Sequence, residues 1–397
     1  MVVGGGPAGC AAAISLAESG RHVVLVDKAT FPRDKVCGDG LTSGALRLYE
    51  RLGLDPSGIP SWTTVEDVHV VGPSGHRETF PLPRGRGQYA AVAKRAELDA
   101  ALLDRTAEVG VDVRTGVEVT GAAQGTGSVE LELSDGSCLI TTYVVAADGM
   151  WSPMRKYLGL ATPGYLGEWH AFRQYFSHTG PLARDLWVWF EADLLPGYAW
   201  SFPLPGGGAN VGFGIQRGAK ITTKQMKALW PELLARPHIA EVLGPDASPE
   251  GRHQAWPIPA RIDDIALSSG RVLWVGDAAA ATDPMTGEGI GQALLSGLLA
   301  ADAIRSGGGA HPEVVRDNYE SSVRRELLAD HKMSMLLIRA LRHRKGARAA
   351  IRVAGLTGWT RRNFARWLFE DEPRAIAVTP RRWHSRILRR DGAYRHR

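Results

Sequence analysis

Cysteine is scarce in this chain: Cys10, Cys37 and Cys138 are the only three among 397 residues, widely spaced and without a Cys-x-x-Cys pair. That argues against a disulfide framework and a cysteine zinc site, and fits a reducing cytosol. Long apolar runs are missing too, since no stretch approaches the roughly 18 uninterrupted apolar residues of a spanning helix. The 12 histidines are scattered without paired ligand spacing, so no metal site is expected. Met1 leads straight into a glycine-rich turn, with no basic leader or cleavage site, and no export is expected. Internal repeats and low-complexity linkers are absent. What remains is ordinary globular composition, 44% hydrophobic and 22% charged, which at this length points to a large core rather than disorder.

Charge is unevenly spread. Residues 331–397 hold 18 Lys and Arg against 4 Asp and Glu, whereas residues 1–330 hold 29 against 38. Such a basic end suits an anionic membrane surface, or is a solvated face balancing an acidic body. Nucleic acid is not expected as a partner, because no nucleic-acid motif accompanies the charge.

The first thirty residues read as strand, turn, helix and strand: Val2-Val3, the glycine turn, an alanine-rich helix ending at Gly20, and a buried strand over 22–26 closed by Asp27. The opening strand looks clipped and suggests a late start or a trimmed sequence, as strands usually run about five or six residues. Strands are expected over 66–71, 171–177, 186–191, 199–202 and 209–215, as an antiparallel sheet. A helix is expected over 95–109, and further strands over 111–119, 129–133, 143–147 and 272–275. A small-residue helix over 289–304 suits close packing. From Pro312 the pattern is helical, with breaks at Gly346, Gly355 and Gly358.

Three motifs carry chemistry. Gly4-x-Gly6-x-x-Gly9 follows a strand and opens a helix, with Asp27 eighteen residues beyond Gly9. Glycines let the main chain approach a pyrophosphate, the helix N-terminus offers free N–H groups, and the acid takes a ribose hydroxyl pair. Asp148-Gly149-x-x-Ser152-x-x-Arg155 follows a second buried strand. Gly276-Asp277-Ala278-Ala279 follows a third and leads to Asp283-Pro284 and Gly287-Glu288-Gly289-Ile290-Gly291. Each alone could be a capped turn; in this order they resemble the FAD-dependent oxidoreductases of the p-hydroxybenzoate hydroxylase fold group.

Two further segments narrow the resemblance. Residues 31–41, with Cys37-Gly38-Asp39-Gly40, look like the cysteine-containing flavin loop of the geranylgeranyl reductase family. Tyr198-Ala199-Trp200-Ser201-Phe202-Pro203, followed after eight residues by Gly212-Phe213-Gly214, is similar to that family's YxWxFP…GxG signature. The likeness runs through residues 2–305 and fits the last helices only loosely.

The resemblance implies an α/β fold, α+β overall, in which a Rossmann-like FAD-binding layer is interleaved with an antiparallel-sheet substrate domain and followed by C-terminal helices. The expected segments are 1–64, 81–160 and 257–305 for FAD, 65–80 and 161–256 for substrate, and 306–397 as a basic helical region. FAD contacts are implied at Gly4, Gly6, Ala8, Gly9, Asp27, Cys37, Gly38, Gly40, Arg95, Val119, Asp148, Asp277, Gly289 and Ile290. Val119 is expected to end a strand, and Arg95, opening a helix, either meets the pyrophosphate or lies on the surface. Cys37, Tyr198 and Trp200 are the candidate catalytic or cavity-lining residues. Cys37 could deliver a proton, shape the pocket or be a small hydrophobe; the two aromatics are expected to wall the cavity facing the flavin, with ordinary sheet core as the alternative. Arg33 and Lys35 attract a nicotinamide phosphate or are loop charges.

The implied reaction saturates carbon–carbon double bonds in the prenyl chain of menaquinone or a geranylgeranyl lipid, with NAD(P)H or another external reductant feeding the FAD. Alternatives are an aromatic monooxygenase and a membrane-surface flavoprotein electron carrier; a halogenase is disfavoured because its WxWxIP signature and tunnel lysine have no clear counterpart. The expected location is cytoplasmic, peripheral at the inner face of the membrane. Trp359, Arg361, Arg362, Phe364, Arg366, Trp367, Leu368, Phe369, Arg381, Arg382 and Trp383 mix aromatic and cationic residues, as an interfacial segment does.

Overall fold

The computed structural model of the chain describes residues 1–307 and 311–395. Its first unit is strand Val2–Val3, helix Pro7–Glu18 and strand Val24–Asp27. Pro7 sits in the first turn, where a missing N–H costs nothing, and no side chain caps the helix at Gly6. The positive end of the helix therefore opens beyond the strand ends. These strands lie inside a six-stranded sheet ordered Ser268–Ser269, Val272–Trp274, Val144–Ala146, Val2–Val3, Val24–Asp27, Asp112–Thr115. All neighbours are parallel except the first pair, and the register sets Val2 between Val145 and Leu25. A parallel sheet is covered on both faces, and Val2, Leu25, Val144, Val145, Val272 and Leu273 are accordingly buried.

Helix Pro7–Glu18 packs on helix Ile290–Gly307, the small-residue helix of the third motif. The approach is so close that a methyl group on Gly297 would overlap the Ala8 carbonyl oxygen. Small residues here bring the first and third motifs to the same edge of the sheet.

The second layer is a seven-stranded sheet ordered Ser248–Ile258, Trp169–Ser177, Gly208–Gln216, Ala199–Leu204, Leu186–Trp189, Asp67–Val71, Arg77–Pro81. It differs from a purely antiparallel sheet at one seam, where Leu186–Trp189 runs parallel to Asp67–Val71 with Val188 beside Val70. The strand Ser248–Ile258 has no counterpart among the expected strands, because Pro249, Gly251 and Pro257 imitate a loop. As the edge strand it tolerates residues that cannot donate to a ladder.

Two other expectations are corrected. Residues 111–119 are not one strand: Asp112–Thr115 ends at Gly116, whose φ of +73° turns the chain, and a separate strand, Val119–Gln124, begins at Val119. Gly346 is not a break but lies inside helix Arg344–Gly355, where it lets that helix cross the Ala340 carbonyl closely. Helices Ala329–Leu341 and Gly358–Leu368 flank it. Among the described residues no helix is long and apolar enough to cross a membrane.

Candidate active site

One continuous cavity of about 730 Å³ runs from the ends of the parallel strands, against the large sheet, to the C-terminal helices. Of the cofactor candidates, Gly4, Gly6, Ala8, Asp27, Cys37, Gly38, Gly40, Arg95, Val119, Asp148, Asp277, Gly289 and Ile290 all border it, as do Tyr198 and Trp200. Gly9 does not. A methyl on Gly9 would overlap the Gly4 carbonyl oxygen, so this glycine sets the helix–strand approach instead of lining the space.

The acids of the three motifs are held differently. Asp27 Oδ2 accepts from Gly5 N at 2.6 Å and Oδ1 from Ala29 N at 2.7 Å, which fixes the carboxylate at the end of its strand. Asp148 is pushed up to about 6 by burial, although Met154 N donates to its Oδ2 at 2.9 Å. In the same motif Ser152 caps helix Pro153–Tyr157, and Arg155 donates to Ala278 O at 2.8 Å and Ala266 O at 2.7 Å. The second motif thus clamps the backbone of the third. Asp277 pairs with Lys35 Nζ at 3.8 Å, and Lys35 stacks on Trp256 at 3.9 Å.

Neither Lys35 nor Arg33 is a free loop charge, since Arg33 reaches Asp99 at 3.0 Å. Arg95 is not on the surface: it is buried, and Nε and Nη2 each meet an Asp99 oxygen at 2.8 Å. Val119 opens a strand rather than ending one, and its carbonyl accepts from Tyr157 Oη at 3.0 Å. Burial pushes the Cys37 thiol up, with the Arg95 guanidinium pulling the other way.

Strand Ala199–Leu204 explains the aromatic signature. Residues two apart share one face of a strand, so Tyr198, Trp200 and Phe202 form a ladder with ring centres 6.0 Å apart at each step. Trp200 Nε1 donates to Asn210 Oδ1 at 3.1 Å, and Asn210 Nδ2 donates to Cys37 O at 2.9 Å and to Asp39 Oδ2 at 2.8 Å. The flavin loop and the signature strand are therefore tied by one asparagine. Glycine is needed where rings press on backbone: a methyl on Gly212 would overlap the Trp200 ring, and one on Gly40 would stand 3.0 Å from Phe202.

A buried cluster beside Tyr198 was not foreseen from the sequence. Arg374, brought in by the C-terminal segment, lies 3.3 Å from Asp283 and 3.1 Å from Glu370. Burial would raise Asp283, but Arg374 and hydrogen bonds from Ser334 and Thr286 hold it below the usual range. Glu288, bordering the cavity, is pushed up to about 8 by burial and by the nearby Glu370. Tyr198 Oη donates to the Thr286 carbonyl in the same loop. The one signal in the sequence was a charged residue inside an otherwise glycine-rich apolar motif.

The far arm of the cavity is apolar. Val70, Leu186, Val188 and Phe190 come from the large sheet; Leu337, Leu341, Ile351, Phe364, Trp367, Leu368 and Phe369 come from the C-terminal helices. That corrects the picture of an interfacial segment at these positions: Phe364, Trp367, Leu368 and Phe369 face the cavity. Arg366 is buried against Asp371, Arg382 pairs with Asp330 at 2.9 Å, and Arg361 lies 3.6 Å from Glu78. Trp359, Arg362, Arg381 and Trp383 are exposed.

The donors and acceptors fit a flavin dinucleotide. An uncapped helix N-terminus at Gly6 faces the cavity beside the Asp27 carboxylate, and the buried Oδ1 atoms of Asp148 and Asp39 have no partner among the described residues. The FAD binding domain family matches residues 1–299. A menaquinone reductase of Mycolicibacterium smegmatis is 32% identical over 80% of both chains. A digeranylgeranylglycerophospholipid reductase of Methanosphaerula palustris is 28% identical over 76% of this chain and 74% of its own. A geranylgeranyl bacteriochlorophyll reductase-like protein of Thermoplasma acidophilum superimposes with a TM-score of 0.79 at 21% identity, covering 96% of this chain and 98% of that one.

Proposed function

Because the chain belongs to the FAD binding domain family and is 32% identical to a menaquinone reductase over 80% of its length, we propose that it saturates carbon–carbon double bonds in the prenyl chain of an isoprenoid quinone or lipid, menaquinone first among them. The observation that carries this reading is the apolar arm of the cavity, in which sheet residues such as Val188 and Phe190 oppose helix residues such as Ile351 and Trp367. Isolated alkenes accept hydride poorly, so the reaction requires a dry, shaped space next to the redox centre. Bound FAD, reduced by NAD(P)H or another external donor, supplies the hydride equivalent.

The chain's own residues divide the work. Gly4, Gly6 and Ala8 would hold the pyrophosphate against the helix N-terminus, with Gly9 acting through packing, and Asp27, with Val119 also on the cavity wall, would take a ribose of the dinucleotide. Asp148, Asp277 and Arg95, which border the same cavity, would hold the rest of the dinucleotide. Gly289 and Ile290 would present a second helix N-terminus to the flavin, and the loop with Cys37, Gly38 and Gly40 would also contact it. Tyr198 and Trp200 line the cavity and would wall the place where flavin and alkene meet.

A substrate with a long apolar tail lives in a bilayer, and the chain carries exposed apolar residues on its basic end. Leu356 is 71% and Trp359 67% exposed, with Arg352 and Arg362 exposed nearby. We assign these residues to docking on an anionic membrane. Deleting the gene in its host and weighing the host's menaquinones and prenyl lipids tests the reaction. Loss of a partly saturated species from one class supports it; an unchanged lipid profile opposes it.

A further inference from the structure

Adding hydride to an isolated double bond leaves a carbanion-like carbon that must be protonated in the same event, so a cavity built for this reaction needs an acid at its wall. Cys37, Asp39, Asp148, Tyr198 and Glu288, all on the cavity wall, can carry a proton. Hydrogen bonds distinguish all of them but Cys37, and Asp148 Oδ2, in the second motif, accepts from Met154 N at 2.9 Å. Tyr198 Oη is already committed to the Thr286 carbonyl. Asp39 Oδ2 accepts from Tyr175 Oη at 2.7 Å and Asn210 Nδ2 at 2.8 Å, two donors that favour its carboxylate form. Glu288 Oε1 accepts from Gly291 N at 2.6 Å, and among the described residues its other oxygen has no hydrogen-bond partner.

We infer that Glu288 is the general acid of this cavity, with Glu370, held in place by Arg374 and Gln292, as its positioning residue. The inference rests on the proposed prenyl reduction. In the step, the π bond breaks, one carbon receives the hydride equivalent supplied by reduced flavin, and the other receives the Glu288 proton. Two C–H bonds form, the flavin ends oxidised, and Glu288 is left as a carboxylate that regains its proton from water.

The surroundings of Glu288 are consistent with that role. From the C-terminal segment come Glu370 and Arg374, from its own loop Asp283, from the signature strand Tyr198, and from helix Ser43–Arg51 Tyr49. Glu370 Oε1 is held by Arg374 Nη2 at 3.1 Å and Gln292 Nε2 at 3.2 Å, and its backbone has a left-handed φ of +56°, a conformation glutamate seldom adopts. Burial and the neighbouring Glu370, itself pushed up by burial, bring Glu288 to about 8, near the working range of an acid at neutral pH, whereas burial drives Cys37 and Tyr198 upward and Asp39 and Asp148 reach only about 6.

The test uses the FAD-loaded protein and its Glu288→Gln variant, which keeps the oxygen that accepts from Gly291. Infrared difference spectra at neutral pH are expected to show a protonated carboxyl band that vanishes in E288Q. Reoxidation of pre-reduced enzyme by a menaquinone should slow by about 10² to 10⁴ in E288Q, with FAD affinity unchanged. In Glu370→Gln the alkaline limb of that rate should move to lower pH, because the charge that raises Glu288 is gone. A wild-type carboxyl band that persists in E288Q, or an E288Q rate and pH profile equal to wild type, overturns the assignment. Wild-type enzyme that shows the band yet saturates no prenyl chain instead defeats the proposed reaction, so the two failures are distinguishable.

Discussion

Two glycines of the first motif have opposite structural situations. A methyl on Gly6 would meet only Arg33 Nη2 at 3.6 Å, an ordinary contact, but it would project where a phosphate is to lie. Gly6→Ala is therefore expected to weaken FAD binding while leaving the melting temperature of the apoprotein unchanged. Gly9→Ala should lower both, because its methyl overlaps backbone. Calorimetry of the apoproteins and fluorescence titration with FAD read the contrast. In the signature strand, Gly212→Ala should displace the Trp200 ring and cost roughly 1–3 kcal/mol in urea unfolding. Glu288 gives a pH signature as well. Its value of about 8 in the folded chain lies above the ordinary 4.5, so the folded state holds this proton more tightly than the unfolded state does. Its contribution is most favourable below about pH 4.5 and is lost as pH rises toward 8, at about 1.4 kcal/mol for each pH unit crossed. Urea unfolding of the apoprotein at about pH 5 and about pH 8 should show a smaller loss in E288Q than in wild type.

Among the elements, the C-terminal segment after helix Gly358–Leu368 ties the molecule's two ends together. Phe369 O accepts from Ser43 N at 2.8 Å, and Arg374 reaches the loop that precedes the flavin-motif helix. Arg374→Met leaves Asp283 and Glu370 buried without a counter-charge, and is expected to cost roughly 3–5 kcal/mol and to weaken FAD binding. Denaturant unfolding and flavin titration of that variant check it. The sequence made the motif elements legible because their signals are local: glycines at fixed spacing, an acid at a strand end, aromatics two apart. It did not disclose the segment 369–374, since an arginine reads as surface until its partner is known, and Asp283 lies 91 positions before Arg374. The edge strand Ser248–Ile258 was hidden for a related reason, as tolerance of its prolines depends on which strand ends the sheet. Arg95 and Arg33 were likewise readable as charges but not as partners of the buried Asp99.

At the scale of the whole molecule, the C-terminal helices are a wall of the cavity as well as the carrier of its basic charge. Cutting off residues 331–397 would remove Leu337, Ile351, Phe364 and Trp367 from that wall, so truncation cannot report on membrane docking alone. Leu356→Ser with Trp359→Ser is the cleaner variant, because both side chains are exposed. It should reduce partitioning onto phosphatidylglycerol vesicles with flavin binding intact; equal partitioning would refute the docking assignment. Prenyl reduction by this chain requires flavin and prenyl chain to share one space. Anaerobic mixing of pre-reduced holoprotein with menaquinone, followed by mass spectrometry of the recovered quinone, tests that most directly. The expected result is flavin reoxidation matched by a gain of two hydrogens in the side chain, whereas reoxidation with no change in side-chain mass would contradict it.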